Sequence, residues 1–184
     1  AIANHCIFRE KRETPQGATD IYKFLADNRQ YLVGAQLYSN VGILASLNQY
    51  LADEQSFAFT TSRVLTDKGI NHTFLVEADL IPSRLDQFDA VILPYLPLMS
   101  EENQKALIDF IKAGGNLFIL GQTGIKDQFN LPNNHIPFLE ANELVEYPKD
   151  KLIKSLGKGK IIFMPLEIPS HKFLTVMELK GDAT

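Results

Sequence analysis

Six side chains with hydrogen-bonding or aromatic groups follow apolar runs that are typical of buried strands. They are Asn48, Tyr50, Tyr95, Gln122, Thr123 and Asp127. In an open α/β sheet, ligands bind beyond the carboxyl ends of the strands. These residues are therefore the candidate ligand-binding residues. Residues 121–127 (GQTGIKD) could present side chains and backbone amides to a ligand, and the alternative interpretation is a tight turn that needs the dihedral angles of glycine.

The patterns of the common catalytic sites are missing from this sequence. It has no glycine-rich phosphate-binding motif, no G-x-S-x-G turn and no H-E-x-x-H helix. Its one cysteine, Cys6, lies far from any predicted strand end. The histidines His5, His72, His135 and His171 are not spaced as metal ligands, and the loop carboxylates Asp53, Glu54, Asp79 and Asp127 have no spacing that enforces a glycosidase pair. We predict no catalytic residue, no metal and no cofactor.

Composition indicates one globular domain and excludes several classes of partner. The chain has 184 residues, of which 45% are hydrophobic and 22% are charged. A formal net charge of −4 gives no field that would attract nucleic acid or an anionic membrane. A single cysteine forbids an internal disulfide and leaves both the cytoplasm and export open as compartments. Because the chain begins with Ala1 and not Met, we expect it to be processed or to be part of something longer.

Alternating strand and helix patterns predict the elements that must position these residues. Strands are expected at residues 41–46, 72–76, 88–93, 116–120 and 160–164. Helices are expected at residues 15–32, with Thr14 as N-cap and Ile21, Leu25 and Leu32 on one face, from Ala58 to Gly69, and from Ser100 to Gly114. This alternation is typical of a three-layer α/β sandwich with a mainly parallel, flavodoxin-like sheet and helices on both faces.

The remaining segments give weaker expectations. We interpret residues 1–13 as a tail or linker and residues 14–184 as the domain. No element is predicted over residues 47–56, and residues 122–137 are expected to form a long polar connection. A short helix is predicted at residues 148–156, followed by a hairpin-like turn at residues 157–160 (GKGK).

Ordered motifs over much of the chain resemble a known family. They are IYKFLADNRQYLVGAQLYSNVGILAS (21–46), ILPYLPLMSEENQKALIDFIKAGGNLFILGQTGIKDQFN (92–130) and GKGKIIFMP (157–165). Together they resemble the class I glutamine-amidotransferase-like domain of bacterial β-galactosidases, usually called the trimerisation domain. The resemblance implies a domain that follows a catalytic (β/α)8 barrel, and the catalytic carboxylates belong to that barrel. True amidotransferases of this fold carry a cysteine after a central strand, where this chain has Gly121 and Gln122, so the resemblance implies no amidotransferase activity.

Three functional hypotheses follow. The first is a noncatalytic accessory domain of a multidomain glycoside hydrolase, with the barrel as partner and a homo-oligomer as a further implication of the resemblance. The second is a stand-alone module that binds or hydrolyses carbohydrate or another small molecule at the carboxyl edge of the sheet, through residues 46–50 and 122–127. The third is an interaction scaffold unrelated to sugars that uses Leu96, Leu98 and Met99 as an exposed apolar patch, unless a neighbouring loop covers them.

Overall fold

The computed structural model of the chain describes residues 16–34, 38–52 and 57–166. Contacts divide the chain into two compact units, Ala1–Leu37 and Tyr38–Thr184. The first unit contains α1 (Gln16–Asp27) and α2 (Arg29–Leu32). The single helix expected up to Leu32 is interrupted at Asn28, whose side-chain amide and backbone N–H both donate to the Phe24 carbonyl, at 2.8 and 3.0 Å. Ile21, Leu25 and Leu32 are exposed, while Thr14 and Pro15 lie outside the described residues.

Six strands form the sheet of the second unit. They are β1 (Val41–Leu44), β2 (Thr73–Leu75), β3 (Ala90–Pro94), β4 (Asn116–Leu120), β5 (Leu152–Leu156) and β6 (Gly159–Met164). Their order is β2-β1-β3-β4-β6-β5, and all neighbours are parallel except the β5/β6 pair. The predicted α/β class with a mainly parallel sheet is therefore confirmed.

Helices follow most of the strands. They are α3 (Leu47–Leu51), α4 (Ala58–Asp67), a 3-10 helix (Glu77–Asp79), α5 (Pro82–Leu85), α6 (Glu101–Ala113) and α7 (Pro137–Glu140). The start of α6 is the one predicted, since the Ser100 hydroxyl accepts from the Asn103 N–H at 3.2 Å. Within the described ranges, none of the helices combines the length and the apolar character that a bilayer span requires.

The two faces of the sheet are covered by different helices. Leu107 and Ile111 of α6 join a core cluster with one set of alternating strand residues, among them Leu75, Leu117 and Phe163. Phe74 points to the opposite face, and its ring lies 5.4 Å from the ring of Phe59 on α4. Helices therefore pack on both faces, as a three-layer arrangement requires.

The helix predicted at residues 148–156 is wrong, because Leu152–Leu156 is strand β5. Its pairing with β6 sets Ile153 opposite Ile162 and turns Leu152 and Leu156 toward the core. Gly157, with φ of 66°, turns the chain between these strands, so the expected hairpin-like turn is confirmed. A run of five residues is too short for its periodicity to separate a helix from a strand, and the partner strand decides.

The expectation of no element over residues 47–56 is also wrong in part. Residues Leu47–Leu51 form α3, while residues 53–56 lie outside the described part of the chain. The Ser46 hydroxyl caps this helix by accepting from the Gln49 N–H at 3.1 Å. The carboxylate of Glu77 accepts from the N–H groups of Leu47 at 3.1 Å and Asn48 at 3.3 Å. The first N–H groups of α3 therefore depend on an acceptor that is distant in sequence.

Candidate ligand pocket at the carboxyl edge of the sheet

A cavity of about 370 Å³ opens where β4 and β6 end. Its walls come from the residue after β3, the turn after β4, the end of β6 and the loop before β5. Tyr95, Tyr147, Pro148, Pro165 and Leu166 supply apolar surface, and Gln122, Glu146 and Lys149 supply polar groups. The volume falls within the roughly 300–1,000 Å³ of typical small-molecule sites.

Tyr95 lines the pocket from a left-handed backbone conformation, with φ of 57°. Its N–H donates to the Leu120 carbonyl at 3.0 Å, and its carbonyl accepts from the Gln49 side-chain amide at 3.0 Å. Its ring meets the Phe57 ring edge-on, with centroids 5.7 Å apart. These contacts hold a bulky residue in a conformation that its side chain disfavours.

Gly121 brings two walls of the pocket together. It has φ of 70°, and a Cβ placed on it would lie 3.0 Å from the Tyr95 ring and 3.1 Å from Cβ of Leu166. Its N–H donates to the Met164 carbonyl at 2.8 Å, which ties the end of β4 to the end of β6. A glycine is therefore required here both by backbone conformation and by the close approach of its neighbours.

Tyr147 closes one side of the pocket. Its hydroxyl donates to the Thr123 carbonyl, and its ring lies 6.1 Å from the Phe163 ring in an edge-on contact. Burial raises the pKa of Tyr147 above its ordinary value, because the phenolate would lose its hydration. The phenol is therefore neutral at physiological pH and acts as a hydrogen-bond donor.

The structure separates the six candidate residues into three groups. Tyr95 and Gln122 line the same pocket. Thr123 is fully buried beside Leu96, and Asp127 accepts from the N–H groups of Phe129 and Leu131 at 2.8 and 2.9 Å, which fixes a turn. Asn48 and Tyr50 lie on α3 and are not part of the pocket lining, with Tyr50 78% exposed.

Among the pocket residues that sequence reasoning misses are three from the loop before β5: Glu146, Tyr147 and Lys149. They lie in a connection between elements, where no periodicity marks them, and part of that connection falls in the helix wrongly expected there. The useful signal is Pro148 between an aromatic and a basic residue, which excludes a central helix position and favours a loop at the sheet edge.

The described histidines and the apolar residues after β3 have structural partners. His72 shares hydrogen bonds with the Ser62 hydroxyl at 2.7 Å and the Ile70 carbonyl at 2.9 Å, and Nε2 of His135 lies 2.7 Å from the Glu140 carboxylate. Among the described residues, no three His, Cys, Asp or Glu side chains group as a metal site would require. Leu96, Leu98 and Met99 are buried under the neighbouring loop, so the apolar patch of the third hypothesis is wrong.

These observations define a class of protein: an α/β domain with a small pocket at the carboxyl edge of a mainly parallel sheet. Residues 65–137 match the family model described as the β-galactosidase trimerisation domain. This match agrees with the predicted accessory domain of a glycoside hydrolase over that segment of the chain.

Two curated relatives are similar to part of the chain. The β-galactosidase BbgII of Bifidobacterium bifidum is 36% identical over 76 residues, which are 40% of this chain and 10% of that protein. The β-galactosidase BgaH of Haloferax lucentense is 37% identical over 57 residues, which are 30% of this chain and 9% of that protein. The chain thus spans about a tenth of the length of these relatives.

Solved structures show the same fold. Gan42B, a GH42 β-galactosidase from G. stearothermophilus, has a TM-score of 0.62 at 19% identity, covering 81% of this chain and 30% of that one. The β-galactosidase from Bacillus circulans sp. alkalophilus has a TM-score of 0.64 at 11% identity, covering 81% and 31%. At these identities the similarity establishes the architecture of the domain.

Proposed function

We propose that this chain serves a β-galactosidase as the domain that packs beside the catalytic barrel and joins subunits into an oligomer. The observation that carries the proposal is the match of residues 65–137 to the β-galactosidase trimerisation domain. That segment contains β2, β3, β4 and α6, which form the centre and one edge of the sheet and much of its core. Hydrolysis of the galactoside then belongs to the barrel.

We also infer that the domain is a class I amidotransferase-like, flavodoxin-like variant without its nucleophile. Support comes from Gly121, which directly follows the central strand β4 with φ of 70°, at a sharp turn where amidotransferases of this fold place a cysteine. Glycine offers no nucleophile there, and Gln122 is an amide. The chain is therefore expected to leave glutamine unhydrolysed.

An aromatic surface on β2 and α4 is the site that we assign to the contact with a second copy of this chain. It consists of Phe59, His72 and Phe74, whose rings form a row with Phe74 between the other two. Phe59 is 75% exposed and Phe74 40% exposed, and β2 is an edge strand of the sheet. An edge strand beside exposed aromatic rings favours association with another chain. β2 also lies within the segment that matches the trimerisation model.

The test is the molar mass of the complete gene product by light scattering after gel filtration. The expected result is an oligomer, and Phe59→Ser with Phe74→Ser should reduce it to monomers. Tyr50→Ser, at a similarly exposed aromatic residue on α3, is the matched control and should leave the mass unchanged. A monomeric wild-type product, or a gene that encodes no barrel, would refute the proposed function. If Tyr50→Ser loses the oligomer while the variant with Phe59→Ser and Phe74→Ser keeps it, the assignment of this surface is refuted.

A further inference from the structure

The pocket bounded by Tyr95, Gln122, Glu146, Tyr147 and Lys149 has no role in the proposed subunit contact. It lies at the ends of β4 and β6, whereas the aromatic surface lies at the opposite side of the sheet, on β2. We therefore infer the ligand of this pocket from its geometry alone, and this inference does not depend on the proposed function.

Three features distinguish this cavity from a gap between loops. It is large enough for a small molecule, with a volume of about 370 Å³. It is built on strand ends that are tied together, since the Gly121 N–H binds the Met164 carbonyl and the Tyr95 N–H binds the Leu120 carbonyl. It also contains a non-glycine residue in a left-handed conformation, Tyr95. Backbone strain of this kind concentrates at binding sites, where the surroundings hold the residue in place.

The chemistry of the lining selects the ligand. Glu146 and Lys149 carry opposite charges, so the pocket has no net preference for an anion or a cation. Carboxylate, ammonium and the Gln122 amide together accept and donate several hydrogen bonds. Tyr95 and the prolines Pro148 and Pro165 offer apolar surface beside these groups. A ligand with many hydroxyl groups, no charge and one apolar face matches this arrangement.

We propose that this pocket binds a neutral saccharide at the level of one hexose unit. The apolar face of the sugar ring lies against Tyr95, and its hydroxyl groups exchange hydrogen bonds with Gln122, Glu146 and Lys149. The site is a binding site without catalysis: no bond of the sugar is broken.

The test is an NMR titration of the isotope-labelled chain with galactose, glucose, lactose and, separately, glutamine. We expect saturable shifts with at least one sugar. Gln122→Ala should weaken that binding by about fivefold, the effect of losing one hydrogen bond. Tyr95→Gly keeps a residue that accepts the left-handed conformation but removes the ring, and it should weaken binding at least as much. Gln128→Ala is the matched control, because Gln128 is exposed in the same loop but outside the lining, and it should bind like the wild type.

Each remaining outcome overturns the proposal. Absence of saturable binding for all three sugars would exclude a saccharide site. Saturable binding of glutamine alone would exclude the proposed ligand class. Sugar binding that survives both pocket variants would place the site elsewhere. Gln122 is exposed, so its variant retains the fold and decides the question if Tyr95→Gly does not fold. The molar mass of the gene product is a separate readout, so failure here leaves the subunit proposal intact.

Discussion

Replacing Gly159 by alanine should strongly destabilise the second unit, Tyr38–Thr184, which we call the sheet domain. Gly159 is buried at the start of β6, and its φ lies outside the left-handed region, so an alanine meets no backbone strain there. The obstacle is steric contact. The added Cβ would lie 2.0 Å from the Gly115 carbonyl oxygen and 2.4 Å from the Ile111 carbonyl oxygen. Both atoms belong to the backbone, so no side-chain rotation relieves the overlap.

The cost follows from what would have to move. The end of α6 and the β5/β6 hairpin would separate, and the hydrogen bond from the Lys158 N–H to the Lys112 carbonyl, 3.1 Å long, would stretch. Overpacking a close contact costs about 3 kcal/mol or more when the backbone must shift. For a domain of this size that corresponds to a fall in Tm of roughly 6–12 °C.

Differential scanning calorimetry of the chain measures this shift. Gly17→Ala is the matched control, since a Cβ added to Gly17 would have nothing within 4 Å and the residue is within helix α1. Alanine there should stabilise its helix by about 1 kcal/mol and should not lower the Tm of the sheet domain. A fall in Tm of less than about 2 °C for Gly159→Ala, which corresponds to less than about 1 kcal/mol, would refute the predicted steric overlap.

Three further perturbations test separate features. Glu77→Ala removes the acceptor for the Leu47 and Asn48 N–H groups, and the free energy of unfolding in urea should fall by about 2 kcal/mol. Glu146→Ala, at an exposed glutamate, is the control, and an equal or smaller fall for Glu77→Ala would contradict its role as the cap of α3. Folding raises the pKa of Tyr147. The neutral, buried phenol therefore contributes fully to the free energy of unfolding below its ordinary pKa of 10.0, and this contribution is lost as the pH rises above that value. Wild-type stability should therefore fall faster than that of Tyr147→Phe above that pH, by up to about 1.4 kcal/mol per pH unit, and parallel curves would refute this. Glu143→Gly relieves a φ of 55° at an exposed residue and should raise stability by about 0.5–1 kcal/mol, measured by thermal unfolding; a decrease would show that the side chain contributes more than the strain costs.

Elements with local signals could be predicted from the sequence. Helix α6 has a serine cap at Ser100, acidic residues in its first turn and Gly114 at its end, and it forms as expected. Strand β4 occupies the predicted residues, because an apolar run between glycines specifies it without help from elsewhere. Both cases depend on information within about one turn or one strand of the element.

Elements specified by distant partners could not be predicted. Strand β5 depends on its pairing with β6, and α3 depends on the carboxylate of Glu77, which is 30 residues from Leu47. The pocket is the extreme case. Tyr95 and Gln122 can be found because they follow strands, but Glu146 and Lys149 reach the pocket through a loop whose path only the folded chain defines.

The two proposed surfaces should act independently, which a pair of variants can test. Phe74 lies on β2 and Gln122 follows β4, with β1 and β3 between them. Three strand spacings place these elements roughly 14 Å apart, beyond the distance at which substitutions usually couple. Phe74→Ser should therefore lower the molar mass of the gene product and leave sugar affinity unchanged. Gln122→Ala should lower sugar affinity and leave the molar mass unchanged. If either variant changes both measurements, the surfaces are parts of one site, and the separation argued from the strand order is wrong.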